Sequence, residues 1–122
     1  MTCRNEADLI DYLTHIQQAI SRIQSYIGET DQDAFMNKPE KQDAVIRNLE
    51  VLGEAAGNIL RHFPDFAASN PEIPLQAAYG TRNALTHGYF KIDLQIVWNT
   101  VEKDLPRLLP QITHAIDRTR QN

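Results

Sequence analysis

The segment VIRNLEVLGEAAGNILRHF, residues 45–63, decides the fold. Apolar side chains recur in it at alternating steps of four and three residues, at Val45, Leu49, Leu52, Ala56, Ile59 and Phe63. This spacing places them on one face of an α-helix, which we expect to open near Pro39 and to pack in a bundle. Gly53 is small enough to let another helix approach closely. We interpret the adjacent Glu54 as a structural hydrogen-bonding acid rather than a general base.

The same periodicity occurs on both sides of this segment. A first helix, expected to end at Gly28, carries Leu9, Leu13, Ile16, Ile20, Ile23 and Ile27. A short third helix runs from about Pro74 to His87. A fourth helix, capped by Asp93, carries Leu94, Val97, Val101, Leu105, Leu108 and Ile112. No segment of strand length alternates between polar and apolar residues. The sequence therefore predicts an all-α fold, an antiparallel four-helix bundle in one domain covering residues 1–122.

The segments between and after these helices give less regular signals. The polar stretch after the first helix reads as a loop anchored by Phe35. The sequence Ser69–Glu72 has the composition of a helix N-terminal cap. Pro106 and Pro110 interrupt the hydrogen-bond ladder of the fourth helix, so we expect a kink or a division there. After Thr113 the chain becomes polar, and we expect it to fray.

Composition and charge restrict the class of protein. The 122 residues carry a formal charge of −4, which counts against broad, nonspecific nucleic-acid binding but leaves room for a local positive cleft. Candidate cations for such a cleft are Arg47, Arg82, Lys91, Lys103 and Arg107. The sequence shows neither a membrane span nor a signal-peptide pattern, and its one cysteine, Cys3, excludes an internal disulfide. We therefore expect a cytoplasmic protein that does not bind membranes, with Cys3 an inert terminal thiol.

The segment GTRNALTHGYF, residues 80–90, carries the candidate chemistry. The planar guanidinium of Arg82 can hold a phosphate, and the imidazole of His87 can exchange a proton near neutral pH. No acidic cluster of the kind that binds a metal accompanies them, so the segment suggests phosphodiester chemistry without a metal or another cofactor. Asn83 lies four residues before His87 on nearly the same helix face and receives a supporting role. Arg82 lies roughly 140° from His87 around the helix axis, so the two converge only through the long arginine stem or a second chain.

The pattern Arg82-x4-His87-x-Tyr89 resembles the R-x4-H-x-Y signature of the HepT ribonuclease toxins, a branch of the HEPN superfamily. Other segments resemble that family in the same order along the chain: Gln42–Glu50, Gly53–Ala55, Pro71–Pro74, Gly80–Asn83, Asp93–Trp98 and Asp104–Pro106. One departure is Leu75, where the family usually has tryptophan after the Ile-Pro step. That position is interpreted as packing, so the departure does not touch the chemistry.

The resemblance implies a fold, an activity and a partner. HepT-like proteins are all-α homodimers whose two R-x4-H motifs meet in one composite cleft that cuts RNA, which would make Arg82 and His87 catalytic. Their partner antitoxin, the minimal nucleotidyltransferase MntA, transfers AMP to the motif tyrosine, here Tyr89. The resemblance thus predicts the toxin of a toxin–antitoxin pair, silenced by modification of Tyr89.

Several alternatives remain open at this stage. Arg47 and Lys91 are candidate phosphate-binding residues, although pairing of Arg47 with Asp43 one turn earlier is the favoured interpretation of Arg47. His15, His62 and His114 lack metal-ligand spacing and are interpreted as solvent-facing or helix-end residues. A noncatalytic helical subunit that accompanies a nucleotidyltransferase is the main alternative function, and a purely structural dimer is a third.

Overall fold

The computed structural model describes residues 5–87 and 92–121, which contain seven α-helices and one π-helical turn and no strand. The helices are α1 (Glu6–Ile27), α2 (Gln32–Met36), α3 (Pro39–His62), α4 (Pro64–Ser69), α5 (Leu75–His87), α6 (Leu94–Asn99) and α7 (Leu105–Gln121). The π-helical turn Thr100–Asp104 joins α6 to α7. The all-α prediction is therefore confirmed for the described residues. Three residues singled out in the sequence, Cys3, Tyr89 and Lys91, lie outside them.

Helix α1 ends where the sequence predicts, at Gly28, and it begins after Asn5. Asn5 accepts a hydrogen bond from the backbone N–H of Asp8 at 3.1 Å, and the Asp8 carboxylate accepts one in return from the N–H of Asn5 at 3.4 Å. This capping box satisfies N–H groups that the first turn leaves without partners. At the other end Gly28 has a φ of 53°, which residues with a side chain rarely adopt, and its N–H reaches the carbonyl of Gln24.

The stretch between α1 and α3 is anchored by Phe35, as predicted, although it contains the short helix α2. Asp31 caps that helix by accepting from the N–H of Ala34 at 2.8 Å. The Phe35 side chain is fully buried, and its ring centroid lies 5.3 Å from that of Trp98 in α6. One aromatic side chain thus ties this segment to the C-terminal part of the chain.

The predicted N-terminal cap at Ser69–Glu72 is wrong. Asn70 ends α4 instead of starting a helix, because its side-chain amide donates to the carbonyl of Phe66 at 2.9 Å. Its side-chain oxygen accepts from Arg118 of α7 at 2.8 Å, and the residue is buried. The next helix, α5, begins at Leu75, within one residue of the predicted start.

The C-terminal helix is divided before Pro106, as predicted, but Pro110 lies inside α7 without dividing it, and the end of the helix does not fray. Pro106 has no N–H for the carbonyl four residues earlier, and the chain before it widens into the π-helical turn, in which the N–H of Leu105 reaches Thr100. After Thr113, α7 continues to Gln121 and buries Ala115, Ile116 and Thr119. The expectation of fraying is wrong because an alanine and a threonine continue the buried face. The hydroxyl of Thr119 is satisfied by donating to the carbonyl of Ala115 at 2.8 Å.

The core lies where α1 packs against α3 and α7 and where α3 packs against α5. Its most completely buried side chains include Leu13, Ile20, Phe35, Val45, Ile59 and Ile112. Among the described residues, no helix is both long enough and apolar enough to cross a membrane.

The contact between α3 and α5 is made through two glycines. A Cβ atom added at Gly53 would lie 2.7 Å from the carbonyl oxygen of Ala78 and would overlap the Cβ of Arg82. A Cβ atom added at Gly57 would lie 2.5 Å from the ring of Tyr79. The sequence prediction that Gly53 permits close approach of another helix is confirmed, and that helix is the one carrying the motif arginine.

Replacing Gly53 by alanine should therefore separate α5 from α3. We expect Gly53→Ala to lower the free energy of unfolding by about 1–3 kcal/mol, because backbone and Cβ atoms must move to admit the methyl group. Gly80 is the matched control, since a Cβ there meets no atom within 4 Å. Gly80→Ala should raise the free energy of unfolding by about 0.5–1 kcal/mol through helix propensity alone. Urea unfolding followed by circular dichroism measures both, and equal stability of Gly53→Ala and the parent would contradict the close contact.

Candidate active site

Arg82 is held from two directions on the α3-facing side of α5. Its Nη2 atom lies 3.1 Å from Oε2 of Glu54, and its Nη1 atom donates to Oδ1 of Asn83 at 2.8 Å. Its side chain is 29% exposed, so the guanidinium still meets solvent. Because Arg82 lies directly over Gly53, the next residue of α3 is in position to make the ion pair. Two fixed acceptors orient a planar group that would otherwise sample many rotamers.

Glu54 contacts a second arginine at the edge of this site. Arg61 of α3 brings its Nη2 atom to 3.8 Å from Oε1 of Glu54, and the Glu54 side chain is 48% exposed. Ion pairs this accessible to water contribute about 0–1 kcal/mol each. The two ion pairs agree with the interpretation of Glu54 as a structural acid, which stays a prediction, and the sequence did not show that its partner is Arg82. The adjacent Gly53, which marks the helix contact, was the available signal.

A cavity of about 470 Å³ opens beside Arg82 and is walled by α1, α3 and α5. Its lining residues are His15, Arg47, Glu50, Val51, Glu54, Ala55, Asn58, Arg82 and Thr86. The Thr86 hydroxyl donates to Oε2 of Glu50 at 3.1 Å, which links α5 to α3 a second time. Two arginines, a histidine and two glutamates therefore line one cavity, and the guanidinium groups are the donors through which it could contact an anion.

Arg47 does not pair with Asp43. No ion pair joins the two within the part of the chain that the structure describes, and Arg47 is exposed and lines the cavity instead. The favoured interpretation of Arg47 is therefore wrong: its side chain lines the cavity between α1, α3 and α5 without an ion pair to Asp43. The alternative, that Arg47 binds a phosphate, remains a hypothesis. The phosphate would then lie in the cavity beside Arg82.

His87 is exposed at the last position of α5, where the helix dipole favours a positive charge. It is absent from the lining of the cavity that holds Arg82. Asn83, one turn before His87, has its side-chain oxygen occupied by Arg82. Within the chain, the structure thus joins Arg82 to Asn83 by a hydrogen bond and to Arg47 through a shared cavity, and His87 is not among the residues that line that cavity.

The remaining predicted residues fall into two groups. Tyr89 and Lys91 lie outside the described residues. His15 and His114 are exposed and His62 is partly buried, but His15 also lines the Arg82 cavity, which its position in the sequence did not reveal. Among the described residues, no three histidine, cysteine, aspartate or glutamate side chains are grouped so that they could hold a metal ion.

Comparison with known proteins identifies the family. Residues 16–115 match the family described as "Ribonuclease HepT-like". The protein named "Probable ribonuclease HepT" of Thermococcus cleftensis is 40% identical over 98 residues, which are 80% of this chain and 86% of that protein. A protein of Methanocaldococcus jannaschii named as a candidate RNase is 31% identical over 108 residues, 88% of this chain and 96% of its own length.

A second Methanocaldococcus jannaschii protein, named as a gamma-glutamylcyclotransferase and candidate RNase, is 33% identical over 115 residues. These residues are 94% of this chain but 50% of that longer protein. No solved structure matches the chain with the statistical significance that these relatives reach. The family match covers α3 and α5, which carry Arg47, Glu54, Arg82 and His87. The chain therefore belongs to the HepT-like ribonuclease family of HEPN proteins.

Proposed function

We propose that this protein is a metal-independent endoribonuclease that acts in the cytoplasm as the toxin of a toxin–antitoxin pair. The observation that carries the proposal is the placement of Arg82. Its guanidinium is oriented by two side chains at the wall of a cavity that also holds Arg47, in a chain of the HepT-like ribonuclease family. An oriented guanidinium can bind a phosphate of RNA and stabilise the negative charge that develops on it.

In the proposed reaction, RNA supplies its own nucleophile. The 2′-hydroxyl oxygen attacks the adjacent phosphorus while His87 takes the hydroxyl proton. The bond from phosphorus to the 5′-oxygen then breaks, and the leaving oxygen receives a proton from the partner's His87. The products are a 2′,3′-cyclic phosphate and a 5′-hydroxyl. Arg82 holds the phosphate throughout, and Asn83 supports it by fixing the guanidinium.

The active site is proposed to be composite, with two copies of the chain meeting across a two-fold axis. Arg82 and His87 are five residues apart on one helix, roughly 140° around its axis, and His87 is exposed outside the Arg82 cavity. A second copy that places its own motif against His87 would complete the constellation, as in an isologous dimer. Each copy is proposed to be one domain, residues 1–122, with an antiparallel four-helix bundle as its frame.

The proposed regulator is an MntA-like minimal nucleotidyltransferase that transfers AMP to Tyr89. An added AMP brings negative charge and bulk two residues beyond His87. Its phosphate would compete with RNA for arginine, as other charge-adding modifications do.

A noncatalytic role as an accessory subunit of a nucleotidyltransferase is the second candidate. Two observations favour it: the chain has a net charge of −4, and Arg82 already has a carboxylate partner in Glu54. Expression without the partner distinguishes the two functions by its effect on growth. A nuclease arrests growth when it is expressed without its partner, and variants of Arg82 relieve the arrest, whereas an accessory subunit has no such effect.

Loss of the His87 imidazole should abolish RNA cleavage without unfolding the protein. A general acid or base contributes about 10²–10⁴-fold to a rate, so we expect His87→Ala to cut a test RNA at least about 10²-fold more slowly than the parent. Its urea midpoint should be unchanged, because the side chain is exposed at a helix end. His114→Ala, an exposed histidine of α7, is the control and should cut normally. Parent-like cleavage by His87→Ala would refute the mechanism.

A mixed dimer distinguishes a composite site from two independent sites. A parent chain and a His87→Ala chain, isolated together through two different affinity tags, should retain far less than half of the parent activity. The reason is that either the acid or the base is missing from the shared cleft, a loss of about 10²–10⁴-fold. Half of the parent activity would mean that each protomer carries a complete site.

Tyr89→Phe should separate toxicity from control by the antitoxin. The variant is expected to arrest growth like the parent, because the proposed chemistry does not use the phenol, and to escape silencing. Intact mass after co-expression with the nucleotidyltransferase should show added AMP on the parent and none on Tyr89→Phe. A Phe variant that is still fully silenced would indicate inhibition by complex formation alone.

A further inference from the structure

His15 is the one histidine of the described residues that lines the Arg82 cavity. It lies on α1, far from the motif in sequence, and it is exposed. The cavity wall opposite is formed by side chains of α3 and α5, including Arg47 and Arg82. A titratable imidazole therefore faces the same space as two guanidinium groups, although the mechanism proposed above gives it no role.

The charged groups of this cavity balance when His15 is neutral. Arg47 and Arg82 each contribute one positive charge, and Glu50 and Glu54 each contribute one negative charge. These four, with His15, are the titratable and charged side chains that α1, α3 and α5 present to the cavity. Protonation of His15 gives the cavity a net positive charge, and histidine is the side chain that gains its charge near neutral pH.

The donors that face the cavity suit a phosphate diester. Arg47 has no ion pair among the described residues, so its guanidinium is available to a ligand. Arg82 is shared with the proposed reaction centre, which puts the cavity directly beside it. The volume of about 470 Å³ is in the range of sites that hold a nucleotide-sized group.

We propose that this cavity is a subsite for an RNA phosphate next to the one that is cut, and that Arg47 and His15 bind it. Protonated His15 adds the charge that the subsite otherwise lacks, so RNA binding strengthens as the pH falls. The inference rests on the proposed function for its ligand, but its test measures binding and does not require cleavage.

The test uses full-length protein carrying His87→Gln, so that the reaction and the charge of that histidine are both removed. The probe is a short 2′-O-methyl RNA, which lacks the nucleophile, at one fixed salt concentration. We expect its Kd to fall about three- to tenfold between about pH 8 and about pH 5.5. Adding His15→Gln should remove this dependence, whereas adding His114→Gln, the matched control outside the cavity, should leave it. A Kd that is independent of pH, or whose pH dependence survives His15→Gln, would overturn the proposal.

A second variant, Glu50→Gln, is expected to strengthen RNA binding, so its effect cannot be explained by damage to the fold. Glu50→Gln removes one negative charge from the cavity while its amide oxygen can still accept from Thr86. It should lower the Kd for the same RNA about three- to tenfold at about pH 8, and damage to the fold would not strengthen binding. Unchanged or weaker binding by Glu50→Gln would count against the subsite.

Two further comparisons distinguish RNA from inorganic phosphate as the ligand, and the subsite proposal from the nuclease proposal. Inorganic phosphate that binds through His15 while the RNA does not would show a small-anion site and overturn the RNA subsite. If the parent fails to cut RNA but its binding depends on His15 as described, the cavity stands as a site for an RNA phosphate, and the nuclease proposal fails. If the parent cuts RNA and His15→Gln binds the probe with an unchanged pH dependence, the nuclease stands and the subsite fails.

Discussion

The contact of Arg82 with Gly53 is the constraint on which the candidate site depends. With no side chain at Gly53, the Cβ of Arg82 lies against the α3 backbone, and Glu54 comes within 3.1 Å of the guanidinium. Gly57, four residues further along α3, allows the same close approach beneath the ring of Tyr79. The same close approach therefore packs α5 on the core and orients the residue proposed to bind phosphate. A substitution at the contact between α3 and α5 therefore affects both the packing of the helices and the orientation of Arg82.

The strength of the Glu54–Arg82 pair suits the proposed role of Arg82, in which it binds a substrate phosphate. Both side chains are partly exposed, so the pair contributes about 0–1 kcal/mol, whereas charge-assisted and bidentate contacts of arginine to phosphate are stronger. Glu54 can thus fix the orientation of Arg82 in the free protein and still yield to a phosphate. The overall charge of −4 is compatible with RNA binding on these terms, because the relevant charges are those around one cavity.

Periodicity predicted the long helices because large apolar residues mark their buried faces without interruption. It failed at the C-terminal tail, where only Ile116 continues the spacing of large apolar residues and the small side chains of Ala115 and Thr119 complete the buried face. It failed also at Asn70, whose partner Arg118 is 48 residues away. The same limit hid the cavity: a helical pattern shows which residues share a face, but not which faces of distant helices meet. His15 and the partner of Glu54 could be placed only after α1, α3 and α5 had been assembled.

The two histidines near the site occupy different positions: His15 lines the Arg82 cavity, and His87 lies outside it. His15 stands on α1 and faces a cavity whose other charges balance, which is why we assign it to the proposed phosphate subsite. His87 lies at the end of α5, exposed and outside the lining of that cavity, so its imidazole is accessible to a molecule that docks against the helix end. A five-residue step along one helix places His87 roughly 140° from Arg82, and His87 does not line the Arg82 cavity. If both residues act on one phosphate, either the long arginine stem or a second chain must supply the alignment, and the proposed composite site takes the second course.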